Sequence, residues 1–77
     1  MYILGNKCLV PFTVVWGYNT PEETRSIALI DPLLVSSIAS DGADHSLMYI
    51  HGNEAPWRVE GHYSQIAREL GFRKVGA

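Results

Sequence analysis

The chain has 77 residues, a net charge of −2 at pH 7 and a sequence pI near 5.8. This length fits one domain, close to the lower size at which a hydrophobic core suffices without disulfides. Its 47% hydrophobic and 18% charged residues are atypical of a disordered chain, and no apolar run approaches the ~20 residues of a membrane-spanning helix. We therefore predict one small domain over residues 1–72 and a flexible C-terminal tail over residues 73–77.

The N-terminal segment and the cysteine content indicate the cellular compartment. The first residues lack the basic start, long apolar centre and cleavage site of a signal peptide. The single cysteine, Cys8, has no partner for an internal disulfide, which is typical of a reducing compartment. We therefore expect a cytoplasmic location, with Cys8 as a small buried hydrophobic residue.

Short runs of β-branched and aromatic residues, separated by turn residues, predict a series of strands. Five segments fit this pattern, over residues 12–18, 26–31, 34–40, 46–51 and 57–60. The segment 41–44 is a strong turn signal and predicts a hairpin. The segment 19–23 predicts another turn, but Thr20 can also be a helix N-cap followed by Pro21, which would add at most one helical turn. Pro11 is expected at a strand start or on an edge.

The C-terminal region predicts one short amphipathic helix. Tyr63, Ile66, Ala67 and Leu70 form a single apolar stripe at helical spacing. Gly71 follows where a left-handed residue ends many helices. A helix this short is marginal alone in water, so we expect the whole stripe to pack on the sheet. The predicted fold class is α+β, a small antiparallel β-sheet of four to five strands with one C-terminal amphipathic helix packed on it.

The sequence contains none of the short motifs that carry catalytic chemistry. The three histidines, His45, His51 and His62, are too far apart for a local metal motif. No serine lies in a nucleophile elbow, and no glycine-rich phosphate-binding loop is present. We therefore expect no enzymatic activity, no metal site and no cofactor.

The aromatic residues are more informative about binding than the charged residues. They exceed what one small core must hold, so we expect some of them to be exposed as contact anchors. The residues predicted to bind a partner are Tyr2, Phe12, Trp16, Tyr18 and Arg58. The alternative is that the large aromatic side chains, namely Trp16, Trp57 and Phe72, simply belong to the core.

The order of elements over residues 31–72 resembles a known layout. Asp31-Pro32-Leu33-Leu34-Val35-Ser36-Ser37-Ile38, a turn, Ser46-Leu47-Met48-Tyr49-Ile50, Gly52, then Trp57-Arg58-Val59 and a helix resemble small FlbD-type flagellar regulators. The layout is also similar to the strand-rich LytTR DNA-binding modules. This resemblance implies a nucleic-acid-binding transcription regulator. The cations available for that alternative function are Arg58, Arg68, Arg73 and Lys74.

In size, acidity and lack of catalytic motifs, the chain also resembles small phage-encoded proteins that bind host RNA polymerase and alter initiation. This resemblance implies a larger protein partner, bacterial RNA polymerase, and a location in the host cytoplasm. The leading hypothesis is therefore a non-enzymatic protein-binding regulator of transcription. We expect it to dock through a sheet edge, exposed aromatic residues and its N-terminal segment. A nucleic-acid-binding regulator is the alternative, and a small enzyme or enzyme subunit is the least favoured.

Overall fold

A computed structural model describes residues 2–72, and it confirms the predicted α+β class. One sheet of six antiparallel strands is followed by one C-terminal helix, so the sheet has one strand more than the predicted four to five. The strands are β1 (Tyr2–Leu4), β2 (Lys7–Trp16), β3 (Thr24–Ile30), β4 (Val35–Ser40), β5 (His45–Ile50) and β6 (Trp57–Glu60), and the helix is α1 (Tyr63–Leu70). The predicted tail over residues 73–77 lies outside the described residues.

The sheet is arranged around β2, its longest strand. Its first residues pair with β1, residues Val10 to Trp16 pair with β3, and Val14 pairs with Val59 of β6. From β6 the order continues to β5 and then to β4. Within residues 2–72, β3 therefore pairs with β2 alone and β4 pairs with β5 alone. These two strands have one edge each without a neighbouring strand.

The additional strand, β1, forms a hairpin with the start of β2. Gly5, with a φ of 61°, opens the two-residue turn between them. Three residues are too few to show an alternating pattern, which explains why the sequence did not predict this strand. Pro11 lies inside β2 rather than at its start, between the part that pairs with β1 and the residue that pairs with β6. Pro11 pairs with Leu29 of β3, and on the other edge of β2 no described strand pairs with it. A proline is tolerated where its missing N–H faces such an unpaired edge.

The core lies on one face of the sheet, under the helix. Alternate residues of β2 point into it, together with the Met48 side of β5 and Val59. On α1, Ile66 and Leu70 are buried, and the helix packs against β4 and β5. Tyr63 is 46% exposed, so only part of the predicted stripe packs on the sheet. Gly71 has the left-handed φ of 85° expected at the end of the helix.

The turns between the strands follow the turn chemistry of the sequence. The hairpin over residues 41–44 connects β4 and β5 as predicted. Thr20 starts no helix, because its carbonyl accepts the N–H of Glu23 in a single turn. Pro32–Leu34 forms a short 3-10 helix capped by Asp31, so β3 ends earlier and β4 begins later than predicted. Within the described residues, no helix is long and apolar enough to cross a membrane.

Candidate functional site

The end of β2 and the start of β6 enclose an open cavity of about 450 Å³. The two strands pair only at Val14 and Val59, and beyond that pair the cavity separates them. Trp16, Tyr18, Leu47, Trp57 and Arg58 contribute most of the large side chains around it. This set is called the aromatic groove below. Its volume falls in the range of ligand-binding clefts, about 300–1,000 Å³.

Two tryptophans form one wall of the aromatic groove. The ring centroids of Trp16 and Trp57 are 5.8 Å apart, and the ring planes meet at 63° in an edge-to-face arrangement. The Trp16 indole N–H donates a hydrogen bond of 2.7 Å to the hydroxyl of Ser26 on β3. Trp57 is half-buried and packs against the core. Trp16 is therefore held in a defined orientation although it is 44% exposed.

Tyr18 and Arg58 form the opposite side of the aromatic groove. The guanidinium carbon of Arg58 lies 4.2 Å from the centroid of the Tyr18 ring, a favourable cation–π contact. Arg58 also forms an ion pair with Asp41 in the turn after β4. The other contact of the Tyr18 ring is with His45, at 5.3 Å between ring centroids. Tyr18 and Arg58 thus hold each other in place.

The loop between β2 and β3 positions Tyr18. Gly17 and Asn19 both adopt left-handed backbone conformations, with φ of 62° and 63°. The N–H and hydroxyl of Thr20 donate to the Gly17 carbonyl at 3.1 and 2.6 Å. The Asn19 N–H donates to the Glu23 carboxylate at 2.8 Å, and this bond lowers the pKa of Glu23 below its ordinary value. These bonds fix the loop that presents Tyr18.

Ion pairs occupy most of the cations in the described part of the chain. Arg25 donates to Glu60 at 2.7 Å and to Glu23 at 3.0 Å, and both bonds raise its pKa. Because β2 lies between β3 and β6, this bridge crosses β2 near Val15, which is buried on the face opposite the core. Elsewhere Lys7 lies 3.7 Å from Asp31. Among the cations of residues 2–72, only Arg68 on α1 has no ion pair.

The structure brings three of the predicted partner-binding residues together. Trp16, Tyr18 and Arg58 all line the aromatic groove. Tyr2 is exposed on β1 and does not line the groove. Phe12 is a correction, because it is only 3% exposed and cannot contact a partner. It faces the core, since it lies two residues before Val14 on the same side of β2.

The residues predicted for nucleic-acid binding do not form one surface in the described chain. Arg58 lies in the aromatic groove, and Arg68 is exposed on α1. Arg73 and Lys74 lie outside the described residues. Cys8, expected in the core, is exposed near the start of β2.

The sequence did not indicate that Leu47 or Asp41 would lie at the site. It indicated Trp57 only as one of the aromatic residues that could belong to the core. Leu47 lies directly opposite Arg58 in the ladder of β5 and β6. Asp41 belongs to a turn that looked merely solvated, yet it pairs with Arg58. The one available signal was the residue types of Trp57 and Arg58, because tryptophan and arginine are enriched among the residues that dominate binding energy at interfaces.

No group of three or more His, Cys, Asp or Glu side chains within residues 2–72 could hold a metal ion. Beside the groove, the Nε2 atom of His45, whose ring contacts Tyr18, is buried and has no hydrogen-bond partner among the described residues. In comparisons with known proteins, no family model, no curated protein and no solved structure matches this chain.

Proposed function

We propose that this chain is a non-enzymatic protein-binding module that docks on a larger protein through the aromatic groove. The observation that carries the proposal is the convergence of Trp16, Tyr18, Trp57 and Arg58 around one open cavity. Tryptophan, tyrosine and arginine are the residue types that dominate binding energy at protein interfaces. Their concentration at one point of a 77-residue chain supports a role in recognition.

The internal contacts of the groove favour binding, because they reduce the entropy lost on association. Trp16 is fixed by Ser26 and Trp57, and Tyr18 is fixed by Arg58. Immobilising a flexible side chain on binding costs about 0.5–1.5 kcal/mol, and these side chains are already ordered. The groove therefore supports recognition of an apolar or aromatic side chain from a partner.

The charges around the groove favour a protein over nucleic acid as the partner. Asp41 neutralises Arg58, and the nearby Arg25 is bound by two carboxylates, Glu23 and Glu60. Binding to a phosphate backbone requires free Lys or Arg side chains that neutralise phosphates and so displace the counterions condensed on the nucleic acid. In the described chain the groove does not offer such free cations.

We further propose that the module regulates transcription and that its partner is bacterial RNA polymerase. This part of the proposal rests on the resemblance in size, acidity and motif content to small phage-encoded proteins that bind host RNA polymerase. The aromatic groove supplies a specific surface on which the proposal can be tested.

The test measures binding of the full chain to purified bacterial RNA polymerase, with single substitutions inside and outside the groove. Trp16→Ala should weaken binding at least 10-fold, because truncating an interface anchor costs about 2 kcal/mol or more. Arg58→Ala should weaken it too. Tyr63→Ala is the matched control, because Tyr63 is as exposed as Tyr18 but lies on α1, outside the groove. It should leave affinity unchanged.

Equal affinity of Trp16→Ala and the unchanged chain would refute the groove as the docking site. Absence of any binding to RNA polymerase would refute the choice of partner. The same chain is titrated with duplex DNA at low and high salt. DNA binding that falls steeply with salt would support the nucleic-acid alternative instead.

A further inference from the structure

The free edge of β3 has few of the usual features that prevent sheet edges from pairing, and Arg25 near its start is the one charged residue of the strand. Natural edges are blocked by lysine, proline, bulges or covering elements. The sequence of β3, Thr24–Ile30, contains no lysine and no proline, and its pairing with β2 is regular over all seven residues. Within the described chain β3 pairs with β2 alone. A regular edge of this length can therefore accept another strand.

The side chains next to this edge are apolar and exposed. Ile27 is 68% exposed and Leu29 is 46% exposed, both on the sheet face opposite the core. Ala28 and Ile30 point to the core face. An incoming strand would cover Ile27 and Leu29 on one face and extend the core on the other.

The sequence of β3 is self-complementary in one antiparallel register. A two-fold axis at Ala28 places Ala28 opposite Ala28 of a second copy. It places Ile27 opposite Leu29 of the second copy, and the symmetry produces this apolar contact twice. At the ends of the paired region, Arg25 lies opposite Asp31 of the second copy.

The charges favour this register over the one centred on Ile27. Moving the axis to Ile27 would place Glu23 opposite Asp31 of the second copy, and like charges directly opposite are destabilising. The register centred on Ala28 brings unlike charges together instead. The Asp31 carboxylate is only 11% exposed and already contacts Lys7 and the Leu33 N–H. The register centred on Ala28 is therefore favoured because Asp31 meets no like charge, and not because Asp31 forms a new ion pair with Arg25 of the second copy.

We propose that the chain forms a two-fold symmetric dimer by antiparallel pairing of β3 with β3 of a second copy, centred on Ala28. The dimer joins two six-stranded sheets into one and leaves both aromatic grooves outside the pairing region. It does not depend on the proposed function. Pairing centred on Ala28 uses only residues 26–30 of β3 in each copy, which bury less than the ~1,200 Å² of stable complexes, so the dimer dissociates on dilution.

The first experiment is oxidative cross-linking of Ala28→Cys in a Cys8→Ser background, because Cys8 is exposed. Opposite residues in an antiparallel pair have Cα atoms about 4.5–5.5 Å apart, within disulfide range. The Ala28→Cys chain should therefore form a disulfide-linked dimer. Ser26→Cys is the matched control, since residues 26 of the two copies would lie about 13 Å apart along the strands. It should cross-link at least 10-fold more slowly.

The second experiment measures the mass of the unchanged chain by sedimentation over a concentration series. The mass should rise from 8.6 kDa towards twice that value. Ile27→Lys should keep the chain monomeric, whereas Ser36→Lys on β4 should dimerise like the unchanged chain. A monomer at every concentration up to about 1 mM, where even a 1 mM dissociation constant gives substantial dimer, would overturn the proposal. Equal cross-linking at positions 26 and 28 would overturn the proposed register. An Ile27→Lys chain that dimerises like the unchanged chain would overturn β3 as the dimer surface.

Discussion

The outer strands β3 and β4 expose edges of very different construction. In β4 the register shifts between Val35 and Ser37, and the Ser36 hydroxyl donates to the Tyr49 carbonyl at 3.1 Å. The helix α1 also packs against β4. In β3 the ladder is regular and isoleucine and leucine are exposed. The two edges therefore differ in that β4 has an irregular backbone and contacts the helix, whereas β3 is regular and carries exposed apolar side chains.

We expect the largest loss of stability when the contact between the helix and the sheet is removed, and we expect hydrogen exchange in β4 to become faster. Ile66 is 2% exposed and belongs to the core cluster, so Ile66→Ala should lower the free energy of unfolding by about 2–5 kcal/mol. Chemical denaturation measures the loss, and hydrogen exchange should show less protection in β4 than before. Gln65→Ala on the exposed side of α1 should change stability by less than ~0.5 kcal/mol. Similar losses in both variants would contradict the role of the helix.

The next largest effect should come from the buried hydroxyl that joins β5 to the start of the helix. Ser46 is fully buried, and its hydroxyl donates to the Gly61 carbonyl at 2.7 Å. Ser46→Ala should therefore destabilise the fold by about 1–2 kcal/mol, because a partly buried carbonyl loses its donor. Ser36→Ala is the comparison on exposed β4 and should cost less. A larger loss at Ser36 would mean that the bulge, rather than the helix connection, protects this edge.

Arg25 at the start of β3 forms exposed ion pairs with Glu23 and Glu60, so we expect salt to weaken their contribution to stability. Arg25→Gln removes the bridge from β3 to Glu60 and leaves Val15 less covered. We expect a lower thermal midpoint than that of the unchanged chain at low salt and a smaller difference at 1 M salt, because salt screens exposed pairs. Lys7→Gln, which breaks the longer contact of 3.7 Å, is the milder comparison. If the drop in thermal midpoint caused by Arg25→Gln were the same at both salt concentrations, it would come from lost packing and not from the ion pairs.

The smallest effect should be a pH dependence at the start of β3. The Asn19 N–H and then Arg25 lower the pKa of Glu23 below its ordinary value of 4.5. The stabilisation from Glu23 is therefore complete above pH 4.5 and is lost as the pH falls through the lower pKa of the folded state. Glu23→Gln should flatten that part of the pH profile of unfolding. If the stability of Glu23→Gln fell with acid in the same way as that of the unchanged chain, the pH dependence would come from other carboxylates.

The fold was largely predictable because its signals are local. The apolar spacing of Ile66 and Leu70, the left-handed Gly71 and the turn at residues 41–44 all appear within a few residues of sequence. The strand β1 was missed although Gly5-Asn6 is a two-residue hairpin signal, because its three residues are too few to show an alternating pattern. The side of the sheet on which Phe12 would lie was also missed, because alternation alone does not distinguish the core face from the outer face.

The candidate site was only partly predictable because it is assembled from distant segments. Trp16 and Tyr18 were identified as exposed aromatic residues, but nothing local indicates that they meet Trp57 and Arg58 across the sheet. The pairing of Arg58 with Asp41 joins two segments whose turn and strand signals are independent. Such contacts follow from strand order, which a single sequence does not specify.

The single pair between Val14 and Val59 also has a consequence for the folding pathway. The β2–β3 and β4–β5 hairpins connect neighbouring segments, whereas this pair closes a long stretch of chain. Non-local pairings form slowly because loop-closure entropy opposes them before contacts compensate. The two hairpins can thus form early, and their joining through β6 completes the fold. We therefore expect the groove to be complete only once β6 has joined β2.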